Sequence, residues 1–294
     1  MQLPASVKKA LADKNIRYAA IAAAALALIT VINVALAFVY PVSKLAKENP
    51  GKSAMMRYRE RQWKRAGKDT KIRRTWVPIS RISSYVTKAV IIAEDDKFWS
   101  HEGFDFEAME KAMEKDIKKR KFKAGGSTIS QQLAKNLYLS PSRNPVRKIK
   151  EAILTWRIER ALTKRRILEI YLNVVEWGPG IFGIEAAARH YYGVPASALG
   201  PEQAARLASI LPNPIRFSPL RPSRYVSRRS NFIYRIMVRR GVVIPEFEEV
   251  MHPEEAGNPP EATEAVLENV SGVAPAEPAE STPPGGTPAF SNAT

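Results

Sequence analysis

Residues able to do chemistry gather in four places along this sequence. The first is Glu94-Asp95, delivered by the apolar run Ile91-Ile92-Ala93 and followed closely by Phe98, Trp99, His101, Gly103 and Asp105. A carboxylate at the rim of an apolar wall suits general acid/base work, because partial burial disfavours the charged form. The same stretch also reads as a helix end whose acids face water, with Phe98 and Trp99 in the core. The second place is Gly125-Gly126-Ser127-Thr128-Ile129-Ser130-Gln131-Gln132, running on to Lys135-Asn136. Glycines ahead of a helix let a ligand approach backbone N–H groups, and the helix dipole favours anions there. Ser127, Thr128, Gln131 and Gln132 are neutral hydrogen-bonding groups suited to sugar hydroxyls and amides, although a polar helix cap has the same composition. The third is Lys135 with Arg143, cations on either side of a loop that could clamp a diphosphate, or simply two charges in a basic chain. The fourth is Glu151, one turn from Arg147 and Lys148, which reads as a surface i,i+4 pair.

Positioning these groups falls to the rest of the 294 residues, enough for one large or two small domains. The chain has no cysteine, which excludes a disulfide framework, a zinc–thiolate site and a thiol nucleophile. Its formal charge is +17, but every Lys and Arg lies at or before Arg240, and ten glutamates follow. Setting those ten aside raises the charge of the first 240 residues to +27. A field of that size implies an anionic partner, whether phosphate-bearing lipid, an acidic membrane surface or nucleic acid. Composition does not choose among them.

From Tyr18 to Tyr40 no charged residue occurs. As a helix this run spans roughly 35 Å at about 1.5 Å per residue, enough to cross a bilayer. Tyrosines at both ends suit the interfacial belts, and Pro41 stops the helix. The run exceeds a signal-peptide core, and Phe38-Val39-Tyr40 is no small-residue cleavage site, which favours an uncleaved anchor. Basic residues are denser after the run than before it, which taken literally puts the bulk of the chain in the cytoplasm; long domains, however, cross largely regardless of charge. The expected organisation is a polar segment 1–17, a transmembrane helix 18–40, a basic membrane-proximal linker 41–75, a helical domain 76–245 and a disordered Pro/Glu-rich tail 246–294. The linker also reads as a helix lying on a membrane surface, with Met55, Met56, Tyr58 and Trp63 among its charges. Within the domain, Trp76 to Ile79 looks extended. Phe106, Met109, Met113 and Ile117 recur as in an amphipathic core helix. Asn144-Pro145 and Thr163 look like helix starts, and Gly178-Pro179-Gly180 and Gly183 like loops. Helices are expected over 185–192, 201–211 and 221–240.

In this order and at these spacings the groups resemble the peptidoglycan glycosyltransferase family, lysozyme-like enzymes that polymerise lipid-linked cell-wall disaccharides. Glu94-Asp95-x-x-Phe98-x-x-His101-x-Gly103-Phe104-Asp105 looks like the family's first motif, and Gly126-Ser127-Thr128-Ile129-x-Gln131-Gln132-x-x-Lys135-Asn136 like its second. Arg147-Lys148-x-x-Glu151, continuing to Glu169-Ile170-Tyr171-Leu172-Asn173, looks like the third. Gly180-Ile181-x-Gly183-Ile184-Glu185 is similar to the fourth, and Leu211-Pro212-Asn213-Pro214 to the fifth. The resemblance covers about residues 77–240. It implies a mainly α fold, with a lysozyme-like catalytic domain behind one N-terminal transmembrane helix. It further implies a single-pass protein of the bacterial inner membrane with its catalytic domain on the outer side.

By the same resemblance Glu94 is the catalytic base and Glu151 a second essential carboxylate that orients cations or a divalent ion. Lys135 and Arg143 hold the donor diphosphate, and Ser127, Gln131 and Gln132 line the substrate cleft. His101 is implied to be structural. No metal-binding residue is implied, although a divalent cation, Mg or Mn, at the diphosphate is left open. The implied partners are lipid II, the lipid-linked glycan chain, the membrane and other cell-wall synthesis or division proteins, and not nucleic acid. Two rivals remain at this point. One is a lytic muramidase or transglycosylase, which has no need of a diphosphate clamp; the other is a non-enzymatic, membrane-anchored basic scaffold.

Overall fold

The computed structural model describes residues 14–119, 126–141, 144–221 and 223–243. Arg143, most of the polar N-terminal segment and the acidic tail 246–294 lie outside the described residues. What is described is mainly helical, with one two-stranded sheet.

Helix α1, Lys14–Ala35, is followed by short 3-10 turns at Leu36–Phe38 and Val42–Ala46. Its apolar side chains are exposed all round, among them Ile21, Leu26 and Val31. A helix apolar on every side is normally surrounded by protein or by lipid, and here protein does not cover it. It is the one helix among the described residues long and apolar enough to cross a membrane, which is compatible with a single-pass anchor.

The basic segment that follows is built into the domain. Helix α2, Ala54–Arg65, starts where Ser53 Oγ accepts from Met56 N at 3.2 Å, and it buries Met56 completely. Arg59 Nε donates to the buried Glu176 Oε2 at 2.9 Å. The backbone of Arg73 pairs with Gly180 and Phe182. Carbonyls of the loop before α2 are gathered by guanidinium groups from elsewhere in the chain: Arg74 donates to Pro50 O and Gly51 O, and Arg166 to Leu45 O and Glu48 O. Charge density suggested a linker, but a guanidinium carries five donors and can satisfy several loop carbonyls at once.

Five helices come first around the future site. Helix α3, Ser84–Glu94, buries Val86, Ala89 and Val90 on one side. Helix α4, Phe106–Lys119, follows it. Helix α5, Ile129–Tyr138, is central and packs on both α6, Pro145–Ala161, and the next helix, α7, Lys164–Val174. The expected helix starts are present, with Asn144 Oδ1 accepting from Val146 N at 2.9 Å and Thr163 Oγ1 accepting from Arg166 N at 3.3 Å. Asn173 clasps the extended entry strand through both its amide atoms, bonding Val77 N at 3.0 Å and Val77 O at 2.9 Å. Where glycines suggested loops, β1 (Glu176–Gly178) and β2 (Ile181–Phe182) form an antiparallel hairpin turning at Pro179-Gly180. Helix α8 is Ile184–Tyr192; α9, Pro201–Ile210, and α10, Arg224–Arg239, both pack against α3.

A further expectation is corrected. Helix α4 has the periodicity of a core helix, yet Phe106 is 73% exposed and Met113 61%. Periodicity reports that one face is apolar and not what covers that face.

Candidate active site

The site begins where α3 ends. Asp95 leaves the helix at φ −167° and ψ 74°, so Glu94 and Asp95, adjacent in sequence, point different ways. The Glu94 side chain is 10% exposed at the wall of a cleft of about 500 Å³, which it shares with Ile92, Gly126 and Ser127. The Asp95 side chain is 2% exposed and its carboxylate is spent inside the protein. Asp95 Oδ2 accepts from Ile129 N at 2.8 Å, in the first turn of α5, where a negative charge also complements the helix dipole. Asp95 Oδ1 accepts from His101 Nε2 at 2.9 Å. His101 Nδ1 in turn accepts from Gly103 N at 3.0 Å, so the ring proton sits on Nε2. Gly103 has φ +92°, and a Cβ there would lie 2.9 Å from Glu159 Cγ; only glycine fits. Thr128 Oγ1 closes the stitch by donating to Gly103 O at 2.7 Å. This knot fixes the loop carrying Glu94 to the N-terminus of α5, with hydrogen bonds to a buried charge each worth about 1.5–3 kcal/mol.

Helix α5 then presents its side chains in sequence. A capping box occupies Gln131, whose Oε1 accepts from Thr128 N at 3.0 Å; the residue is buried and turned away from the cleft. Gln132 does reach the site. Its Nε2 donates to Glu94 Oε2 at 2.8 Å, and its Oε1 accepts from Tyr171 Oη at 3.0 Å, which fixes the orientation of the amide. Tyr171 is wholly buried, and that burial, followed by the charges of Glu94 and Asp95, holds its hydroxyl pKa well above the usual value. It therefore remains a donor. The second oxygen of Glu94 belongs to Arg229 of α10, whose Nη2 donates to Glu94 Oε1 at 3.1 Å and to Ala93 O at 2.8 Å. Arg229 escaped the sequence reading: it is one of many cations on a basic helix, and nothing in its spacing ties it to Glu94.

Lys135 lies one turn beyond Gln132 and is partly buried. It makes no hydrogen bond or ion pair among the described residues. Burial lowers its ammonium pKa, opposed first by the field of Glu151 and then by that of Glu94, while Arg147 and Lys148 push it further down. Glu151, on α6, accepts from Arg147 Nη1 at 3.1 Å and from Lys148 Nζ. The expected pair with Arg147 exists, but its acidic end is 4% exposed instead of lying on the surface. Ser127 lines the cleft, and Arg143 lies outside the described residues. Among the described residues no three His, Cys, Asp or Glu side chains converge as a metal site, and both Glu151 oxygens are already taken by cations.

The geometry thus offers a carboxylate on a cleft with two of its four lone-pair positions filled, and a partly buried cation one helical turn beyond the glutamine that holds that carboxylate. A family model described as Transglycosylase matches residues 60–238. The chain is similar to the biosynthetic peptidoglycan transglycosylase of Dechloromonas aromatica (strain RCB), 51% identical over 185 residues that make up 63% of this chain and 80% of that protein. It is also similar to those of Methylobacillus flagellatus (52% over 187 residues; 64% and 82%) and Azoarcus sp. strain BH72 (56% over 169 residues; 58% and 73%).

Proposed function

The chain belongs to the transglycosylase family and is a peptidoglycan glycosyltransferase, and from that premise we propose that it polymerises lipid II with Glu94 as general base. Glu94 takes the proton from the 4-hydroxyl of the N-acetylglucosamine of lipid II. That oxygen attacks C1 of the terminal N-acetylmuramic acid of the growing chain. The C1–O bond to undecaprenyl diphosphate breaks with inversion, and its electron pair leaves with the diphosphate. Lys135 and Arg143 stabilise the charge arriving there. Ser127 and Gln132 contact sugar, whereas Gln131 acts from behind by setting the start of α5. Glu151 gathers Arg147, Lys148 and the field of Lys135 and moves no proton. A divalent ion, Mg or Mn, would be held by the diphosphate oxygens, and the steps above use only the chain's own residues.

The observation that carries this reading is the position of Glu94, on the cleft and fixed by Gln132 and Arg229, with Lys135 one turn beyond Gln132 and within the field of Glu94. The exposed Phe106 and Met113 on α4, a helix that lines the cleft through Ala108 and Lys111, suit substrates with isoprenoid tails. In this reading α1 anchors the enzyme in the bacterial inner membrane, with its N-terminus cytoplasmic and the catalytic domain on the outer face. Supplying lipid II and isolated sacculi separately tests it: glycan polymer from the first is expected, and solubilised fragments from the second alone would indicate a lytic enzyme. A reporter fused after Thr294 should be active only in its periplasmic form.

A further inference from the structure

A second cavity, of about 290 Å³, opens where the anchor enters the domain and is separate from the catalytic cleft. Its wall combines cations, hydroxyls and apolar groups. Lys44 is exposed and makes no ion pair among the described residues. Arg57 donates only to Lys52 O there, and Lys52 is already paired with Glu60 at 2.6 Å. The Tyr40 and Tyr138 rings meet with centroids 4.8 Å apart, and among the described residues neither hydroxyl makes a hydrogen bond. Burial pushes the Tyr138 hydroxyl up to about 12, which keeps it a donor. Leu45 and Leu137 supply the apolar part, and Glu48 is the one acid in the lining. Against that one acid stand the unpaired charges of Lys44 and Arg57.

The depth of this cavity follows from the chain. Tyr40 ends the uncharged run, so the cavity mouth lies at headgroup level when α1 spans a bilayer. The domain is also tied to the end of the anchor, with Lys150 Nζ donating to Asn33 Oδ1 at 3.0 Å and Arg157 Nη1 to Ala37 O at 2.6 Å. Exposed Ile149 and Trp156 on α6 present further apolar surface beside these contacts. We propose that this cavity binds the headgroup of an anionic glycerophospholipid, its phosphate meeting Lys44 and Arg57 and the tyrosine hydroxyls, and its glycerol end lying against Leu45 and Leu137. Leu137 and Tyr138 form the last turn of α5, the helix whose Gln132 holds Glu94 and which carries Lys135, so an occupied cavity braces the helix that positions the carboxylate. This lipid is neither substrate nor product of the polymerisation, and its binding needs only the anchor to sit in a membrane.

The test is retention of lipid by the full-length chain, read by native mass spectrometry after titration with phosphatidylglycerol or with phosphatidylcholine. Phosphatidylglycerol should be retained preferentially, and Lys44→Gln and Arg57→Gln should each weaken its retention about fivefold, as for a juxtamembrane basic residue. Lys88→Gln removes the same charge from an exposed position outside this cavity and should change nothing. Lys44→Gln removes no hydrogen bond among the described residues, so its effect is not a folding defect. Equal losses for Lys88→Gln and Lys44→Gln would overturn the proposal, as would equal retention of phosphatidylcholine. Inorganic phosphate competing as well as the lipid would also overturn it, since the site would then read a free anion. None of these readouts depends on polymerase activity.

Discussion

Glu94 and Glu151 are the same residue type, both nearly buried, and the protein uses them in opposite ways. Glu94 closes a helix and meets a neutral amide and one arginine, with the rest of its carboxylate directed at a cleft. Glu151 lies mid-helix and has a cation on each oxygen, both from its own helix. The first arrangement leaves a carboxylate oxygen able to accept a proton. The second sets a cation against each oxygen, so that the carboxylate concentrates positive charge. Lys135 lies in the field of both, and that field opposes the lowering of its ammonium pKa by burial. What separates the two glutamates is therefore their partners, since burial is nearly the same: 10% exposure for one side chain and 4% for the other.

Removing the cation that lies in both fields should have a large effect. Lys135→Met is expected to lower turnover by about 10²–10³-fold, the usual loss on removing one stabiliser of transition-state charge, measured as glycan polymer formed from lipid II. Lys135→Arg should keep much of the activity and shift the alkaline limb upward. The lysine needs its proton, burial lowers its pKa, and so activity falls as pH rises through that lowered value; a guanidinium stays charged. An alkaline limb unmoved in Lys135→Arg would exclude Lys135 as its origin. Gln132→Leu cuts the link from Tyr171 to Glu94 and should cost roughly tenfold in kcat with KM little changed, because a misplaced base loses orientation more than binding. Asp95→Asn should act on stability. An asparagine turns an N–H toward either Ile129 N or His101, and moving the ring proton to Nδ1 would oppose Gly103 N. Thermal or denaturant unfolding should register a loss of about 1–3 kcal/mol.

Much of this was legible in the sequence, for local reasons. Helix starts at Asn144 and Thr163 and the stop after Glu94 follow from short-range chemistry, and the chain carries them in plain view. The apolar run from Tyr18 to Tyr40 announces by composition a helix long enough to cross a bilayer, although the α-helix itself stops at Ala35, before Pro41 is reached. Failures came where a distant partner decides the outcome. Gln131 and Gln132 look interchangeable in the sequence, but one serves the Thr128 cap and the other meets Glu94, according to the direction each takes around α5. Arg229 reaches Glu94 across a separation of 135 residues, and no spacing rule reports that. The stretch after Pro41 has a linker's charge but is held by Arg74 and Arg166 from the domain side. Helix α4 keeps a core pattern, yet Phe106 and Met113 on it are exposed.

The account rests on Glu94 moving a proton and Glu151 not doing so. The most direct measurement is single-turnover transfer from lipid II by Glu94→Gln, with lipid II binding measured on the same preparation. Glutamine keeps the size of the side chain, and Arg229 keeps its bond to Ala93 O, so binding should stay within about threefold while transfer falls by about 10²–10⁴-fold. Transfer retained within about tenfold, or binding lost in step with transfer, would contradict the assignment of Glu94 as general base.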